Sequence, residues 1–333
     1  MKDSEQRKIL FISPAFFGYE KEIRTELLKR GDEVDFFDER PKNTTITKAL
    51  IRVNPKLISK ITRQYYRKVF SATRLKKYDF VFIINIESMD VDLLKELKSQ
   101  QRDAVFILYM WDSIKNKKNV TDVIPLFDKV FSFDENDALK IESVLFHPLF
   151  FIEKYLSKSS SNYDSCKIDL SFIGTIHSDR YKLIKEIFSR YLDLKLKTYY
   201  YLYLSTPLLY AYHKLFNPAF ESSKYREFRF KPLSQEEIIE IFENSKVILD
   251  IQHPLQTGLT MRTFETMALG RKLITTNATI NRYDFYNNQN ILIIDRNNVE
   301  IPASFLEMPF KKIHDEILNK YSLRNWLKII FDD

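Results

Sequence analysis

Residues 246–277 read as strand, loop, helix, glycine and strand, and no other stretch restricts the fold so tightly. Residues 247–251, apart from Asp250, and residues 273–276 are apolar or β-branched, the pattern of strands buried on both faces. The helix between them is opened by Thr257-Gly258-Leu259-Thr260 and ended by Gly270. Two such strands joined by a helix make a parallel crossover unit, so this segment calls for an α/β domain.

The same spacing carries chemistry. Small and hydroxyl residues at a helix start leave backbone N–H groups pointing outward, and the helix dipole there favours an anion such as phosphate. Arg262 and Glu265 lie three apart and share a helix face. One can neutralise a diphosphate while the other accepts hydrogen bonds from ribose hydroxyls. His253, beside Pro254 in the preceding loop, is placed to touch the same ligand.

The rest of the chain repeats the α/β rhythm. Strands are expected at residues 8–13, 33–37, 80–85, 104–110, 129–133 and 143–146, with helices at 19–30 and 91–99. A Ser-rich polar stretch within residues 149–167 reads as a linker. A second series follows, with strands near 168–174, 194–198 and 291–294, helices at 179–190 and 234–244, and the segment described above. The expected domains are therefore 1–150, an acceptor domain, and 168–310, a donor domain, followed by terminal helices over 311–333 anchored by Trp326. Both domains are Rossmann-like and face a cleft between them. The Tyr- and Leu-crowded residues 199–230 fall outside this rhythm, as a packed insertion or as an aromatic surface at the level of lipid headgroups.

One cysteine, Cys166, excludes an internal disulfide framework and fits a reducing compartment as a small residue without chemistry. The polar start MKDSEQRK runs straight into a strand too short for a signal-peptide core. A cytoplasmic location follows, with any membrane contact peripheral at the inner face. Residues 41–78 hold eleven Lys or Arg and no Asp or Glu. A solvated face, nucleic-acid binding and contact with anionic lipid compete for this segment. No nucleic-acid module surrounds it, and the apolar residues at helical spacing between Lys48 and Lys77 suit a membrane surface.

A second loop, Gly174-Thr175-Ile-His-Ser-Asp-Arg180, follows the strand ending in Phe172. Gly174 admits close backbone approach, and Arg180 at the next helix start can reach a phosphate. At this point the chain resembles the two-domain glycosyltransferases of the GT-B fold, through Gly258, Arg262, Glu265, Ala268 and Gly270 in a G-x-x-x-R-x-x-E-x-x-A-x-G pattern. Phe172, Gly174 and Arg180 make it similar to the spore-maturation and cell-surface-polysaccharide group. The resemblance covers residues 169–277 by motif and the remainder by architecture. It implies that Glu265 holds the ribose hydroxyls, that Thr260, Arg262 and Arg180 hold the diphosphate, and that the terminal helix crosses back to the first domain. Many retaining members carry a Glu eight positions before the ribose Glu; here that position is Thr257.

An inverting displacement needs a general base from the first domain. The candidates are Asp112 and Glu87, each just after an apolar strand, where Asp112 can equally cap a turn and Glu87 can be a solvated acid, and His253, whose place beside the phosphate loop suits donor contact better than a base role. No Asp-x-Asp pair stands in a suitable loop, so neither a metal nor another cofactor is expected beyond the nucleoside-diphosphate sugar donor itself. The expected activity is transfer of a sugar to a hydroxyl of a cell-surface glycan, free or lipid-linked, with a sugar-nucleotide epimerase or a non-catalytic sugar-nucleotide binder as rivals.

Overall fold

The computed structural model describes residues 6–41, 59–117, 120–156, 163–192 and 196–332. Lys48, Arg52 and Lys56 of the basic segment lie outside the described residues, as does much of the Ser-rich stretch. The chain divides into two compact units, one running to Pro148 and resuming at Leu327, the other spanning Leu149–Trp326.

The first unit is built on β1 (Lys8–Ser13), β2 (Glu33–Asp38), β3 (Phe80–Ile84), β4 (Val105–Met110), β5 (Lys129–Ser132) and β6 (Val144–Phe146). All pairings are parallel, in the order β2-β1-β3-β4-β5-β6. Helix α1 (Tyr19–Lys29) ends before Gly31, whose φ of 90° supplies the left-handed turn a β-carbon would resist. Helix α2 (Ser59–Thr73) lays Tyr66, Val69 and Phe70 on the core and turns its basic residues outward. Helix α3 (Val91–Gln100) begins at Asp90, whose side chain accepts the N–H of Leu93 at 2.9 Å, an N-cap bond.

The second unit holds β7 (Ile168–Thr175), β8 (Thr198–Tyr203), β9 (Phe228–Arg229), β10 (Ser245–Asp250), β11 (Lys272–Thr275) and β12 (Ile291–Ile293). Its order is β12-β11-β10-β7-β8-β9, again all parallel. The chain winds one way from β7 to β9 and the other way from β10 to β12. The direction of winding therefore reverses between β7 and β10, which is where doubly wound sheets hold ligands. Helices α4 (Arg180–Leu192), α5 (Pro207–Phe216), α6 (Gln235–Glu243) and α7 (Met261–Ala268) connect these strands.

The Tyr-rich residues resolve differently from the expectation. The strand expected at residues 194–198 runs instead over Thr198–Tyr203, and the supposed insertion supplies both this strand and α5. The two-residue β9 leaves β8 near the margin of the sheet, so Leu202 is buried while Tyr201 reaches out to donate to the carbonyl of Lys231 at 2.7 Å. Half-covered strands near a margin suit tyrosine, which has an apolar body and a wet tip.

Helix α8 (Leu323–Asp332) closes the chain. Trp326 packs on Phe150 at 4.5 Å within the second unit. Phe331 packs in the first unit against Phe80 and Phe82 at 5.2 and 5.3 Å, and Arg7 and Arg30 hold Asp332 at 2.7 and 3.0 Å.

Candidate functional site

Arg180 sits at the reversal point of the second sheet. Its Nη1 donates to the carbonyl of Thr175 at the end of β7, at 2.7 Å, and its Nη2 donates to the carbonyl of Ile251, just past β10. The guanidinium fork spans both strand ends because its donors diverge in one plane. Its Nε is buried without a partner. Burial and the neighbouring Arg262 and Arg296 lower its pKa, offset in part by Asp250 and Asp179, to about 10, so it remains a cation at neutral pH. Gly174 makes room for it: a β-carbon there would stand 2.8 Å from Cζ of Phe172 and 3.4 Å from Nη1 of Arg180.

The loop before α7 lies against the neighbouring strand end. Asn277 donates through Nδ2 to the carbonyls of Thr257 and Gly258 at 3.0 and 3.2 Å, and Thr279 Oγ1 donates to Thr257 at 2.8 Å. Leu259 is buried and fastens the loop to the core. Thr260 occupies the N-cap position but makes no cap bond with its side chain. Its hydroxyl turns back to Asp250 Oδ2 at 2.6 Å, and Thr263 Oγ1 donates to the same oxygen at 3.3 Å. The N–H of Thr263 reaches the carbonyl of Thr260 at 3.1 Å, and no side chain caps the N–H groups of Met261 and Arg262, which face an anion-binding position.

Arg262 and Glu265 hold one another. Their ion pair is 2.9 Å long, with side chains 17% and 3% exposed. Arg262 also lies over the ring of Phe242 at 4.2 Å and reaches the carbonyl of Ile173 at 3.4 Å. In this arrangement Arg180, rather than Arg262, is the guanidinium without a carboxylate in hydrogen-bond contact.

Two further residues complete the rim. His177 from the β7 loop packs against His253 from the β10 loop, with ring centroids 5.3 Å apart. Burial, with Arg180 and His253 nearby, pushes His177 down to about 3, so its imidazole is neutral. Arg296, following β12, grips both oxygens of Asp179 at 2.8 Å and donates to the carbonyl of Gln252 at 2.5 Å. Neither His177 nor Arg296 stood among the expected ligands. The available signal was a basic residue directly after the strand Ile291–Ile293, at the carboxyl edge where ligands bind.

The carboxyl edge of the first sheet gathers the expected acids around Lys117. Its Nζ pairs with Glu87 and with Asp112, the latter at 3.0 Å. Glu87 is also bonded by Arg40 at 2.7 Å and is 6% exposed, whereas Asp112 is 38% exposed. Burial works to raise the Glu87 carboxyl, but Lys117 and Arg40 outweigh it and hold the group below the usual carboxylate range. Asn85, with φ of 56°, donates to Asp112 at 2.9 Å. Behind them the fully buried Glu39 accepts the N–H groups of Glu87 and Met89 at 2.8 and 3.2 Å, and also that of Ser88. Its other oxygen has no partner. Burial and the charge of Glu87 push the Glu39 carboxyl up to about 7. Phe16 lies 5.5 Å from Trp111, the neighbour of Asp112, and Phe16 and Phe17 are each nearly half exposed.

Among the described residues no three His, Cys, Asp or Glu are grouped to hold a metal ion, and no helix is long and apolar enough to cross a membrane.

Two units, each an all-parallel six-stranded sheet flanked by helices, with the last helix returning the chain to the first unit, make the GT-B fold. Solved structures share it over 90% or more of both chains. Anabaena HepE in complex with UDP-glucose superposes with a TM-score of 0.60 at 10% identity, covering 98% of both chains. An alpha-glucosyltransferase in complex with UDP and DNA gives 0.55 at 16% identity, covering 98% of this chain and 90% of that one. The UDP-GlcNAc 2-epimerase of Methanocaldococcus jannaschii gives 0.52 at 13% identity, covering 98% and 100%. At these identities the likeness is one of fold. No protein-family profile matches the sequence, and no curated protein matches it.

Proposed function

We propose that this chain is a glycosyltransferase whose second unit binds a nucleoside-diphosphate sugar. The observation that carries the reading is Arg180, a half-buried cation tied to two strand ends at the reversal point, with a buried and unpartnered Nε–H. A diphosphate supplies the acceptor oxygens this arrangement lacks. The similar structures hold UDP or UDP-glucose, or act on UDP-GlcNAc, and support a donor of this class.

Within this reading, the backbone of Gly174, Thr175, Gly258 and Thr260 and the cation of Arg180 face the diphosphate. Glu265 accepts from the ribose, with Arg262 as its charge partner, and His253 and His177 border the sugar. The leaving diphosphate's charge is carried by arginine and the helix N-terminus, so no metal or other cofactor is invoked. Asp112 is the better candidate to take the acceptor's proton, being the more exposed acid, while two cations fully engage Glu87. The exposed rings of Phe16 and Phe17 offer a stacking surface for a sugar acceptor near it. We read that acceptor as a cell-surface glycan of the capsule or O-antigen kind, within the polysaccharide group whose motif the chain resembles. On this reading the protein works at the cytoplasmic face of a membrane, with the Lys48–Lys77 segment against anionic lipid.

A thermal-shift panel of nucleotides and sugar nucleotides tests the donor assignment, because a bound ligand stabilises by RT ln(1 + [L]/Kd). A transferase hydrolyses its donor slowly with water, an epimerase interconverts the sugar without an acceptor, and a non-catalytic binder does neither. Unchanged nucleotide affinity in Glu265→Ala would remove the ribose assignment.

A further inference from the structure

We infer that α5, the helix Pro207–Phe216 of the second unit, docks the protein on an anionic lipid bilayer with its apolar side outward. An amphipathic helix on a globular domain normally buries its apolar stripe. This one has a second apolar face: Leu209 and Tyr210 pack against the core, and a further set points away from it. Leu208, Tyr212, Leu215 and Phe216 are 80%, 58%, 77% and 70% exposed. Their spacing of i, i+4, i+7 and i+8 puts them on one face. No residue of the helix is buried.

The orientation is fixed from the other side. Tyr210 packs on Tyr225 and Phe228 at 5.4 and 5.1 Å, and His213 stacks on Phe220 at 4.7 Å. Lys214 donates to the carbonyls of Phe220, Glu221 and Ser223 at 3.2, 2.5 and 3.0 Å. Thr206 caps the start by accepting the N–H of Leu209 at 3.2 Å. The helix is held by Leu209, Tyr210, His213 and Lys214 and cannot roll Leu208 and Leu215 inward without breaking these contacts.

Charge and size select the partner. Residues 205–220 contain no Asp or Glu, and the following eleven hold Lys224, Arg226, Arg229 and Lys231 against Glu221 and Glu227. Glu227 is engaged inward by Tyr181 and Lys185 at 2.6 and 3.0 Å. Exposed Lys224 and Arg226 flank Tyr225, which packs on Tyr210 at the held side of the helix, so the segment that carries α5 is cationic at its surface. Apolar and aromatic residues backed by cations are what an interfacial helix presents to acidic headgroups. A ten-residue helix showing four such side chains falls far short of the roughly 20–30 residues a side that a stable protein interface takes. The inference stands apart from the donor assignment, and its failure would leave nucleotide binding untouched.

Co-sedimentation of the full chain with phosphatidylcholine vesicles, with and without phosphatidylglycerol, tests it. The wild type is expected to bind the mixed vesicles. Leu215→Ser with Phe216→Ser is expected to lower binding at least about ten-fold, with an unchanged melting temperature because both side chains project into solvent. Lys224→Glu with Arg226→Glu is expected to reduce the preference for phosphatidylglycerol, the Lys48–Lys77 cations being left in place. Wild-type-like binding by either variant overturns the inference, as does a wild type that leaves both vesicles unbound. A wild-type dimer in light scattering that Leu215→Ser with Phe216→Ser converts to monomer overturns it in favour of a second copy.

Discussion

Arg262 and Glu265 form a 2.9 Å ion pair one helical turn apart, with the glutamate almost wholly withdrawn from solvent and the arginine lying over Phe242. Removing one member of a buried pair strands the other charge, which costs more than the pair contributes. Arg262→Met is therefore expected to destabilise the protein by about 3 kcal/mol, measured by urea unfolding. A change near zero would mean that Glu265 is supported by other contacts.

Arg180 acts through its forked donors as well as its charge. Lysine in its place keeps the cation but cannot span the carbonyls of Thr175 and Ile251. Arg180→Lys is expected to weaken binding of the nucleoside diphosphate by about ten-fold or more, read by isothermal titration. Equal affinity in the lysine variant would show that charge alone suffices.

Asp112 and Glu87 share Lys117 and should separate cleanly by experiment. Asp112→Asn is expected to lower the transfer rate by roughly a hundred-fold while leaving donor affinity unchanged. Glu87→Gln leaves Arg40 and Lys117 with a neutral partner and is expected to act mainly on stability, by about 3 kcal/mol. A reversed pattern would exchange the two roles.

Glu39 gives the first unit a pH dependence of definite sign. Its carboxyl stands at about 7 in the folded chain against an ordinary 4.5. The folded state thus holds its proton over a range where the unfolded state has lost it. Stability from this group is present below the ordinary value and lost as pH rises towards 7, by about 3 kcal/mol in all. Glu39→Gln keeps an acceptor for the three backbone N–H groups and carries no charge. It is expected to flatten stability against pH between about 5 and 7, followed by denaturant midpoints at fixed pH.

The sequence exposes what lies within one strand–loop–helix unit. Gly174, Arg180 and Thr260 stand where an apolar run gives way to a helix, and Glu265 lies one turn into that helix, so period and breakers reveal them. The α/β fold follows from the same alternation. Residues 198–216 misled because a run of Tyr and Leu carries neither clear period. Only the two-residue β9 beside it explains why β8 can be aromatic, and only the contacts of Tyr210 and His213 show which way α5 faces. The link from Arg296 to Asp179 joins residues 117 positions apart. The Lys117 bridge between Glu87 and Asp112 likewise depends on loops brought together by sheet order. Such pairings leave no local trace.

In the proposed function the reversal point of the second sheet binds a nucleoside diphosphate through Arg180. Isothermal titration of UDP, GDP and their sugar conjugates into the wild type and into Arg180→Met tests it most directly. Saturable binding of at least one of them by the wild type, weakened at least about ten-fold in the variant, is the expected result. Absence of binding by the wild type to every nucleotide, or equal affinity in Arg180→Met, would contradict it.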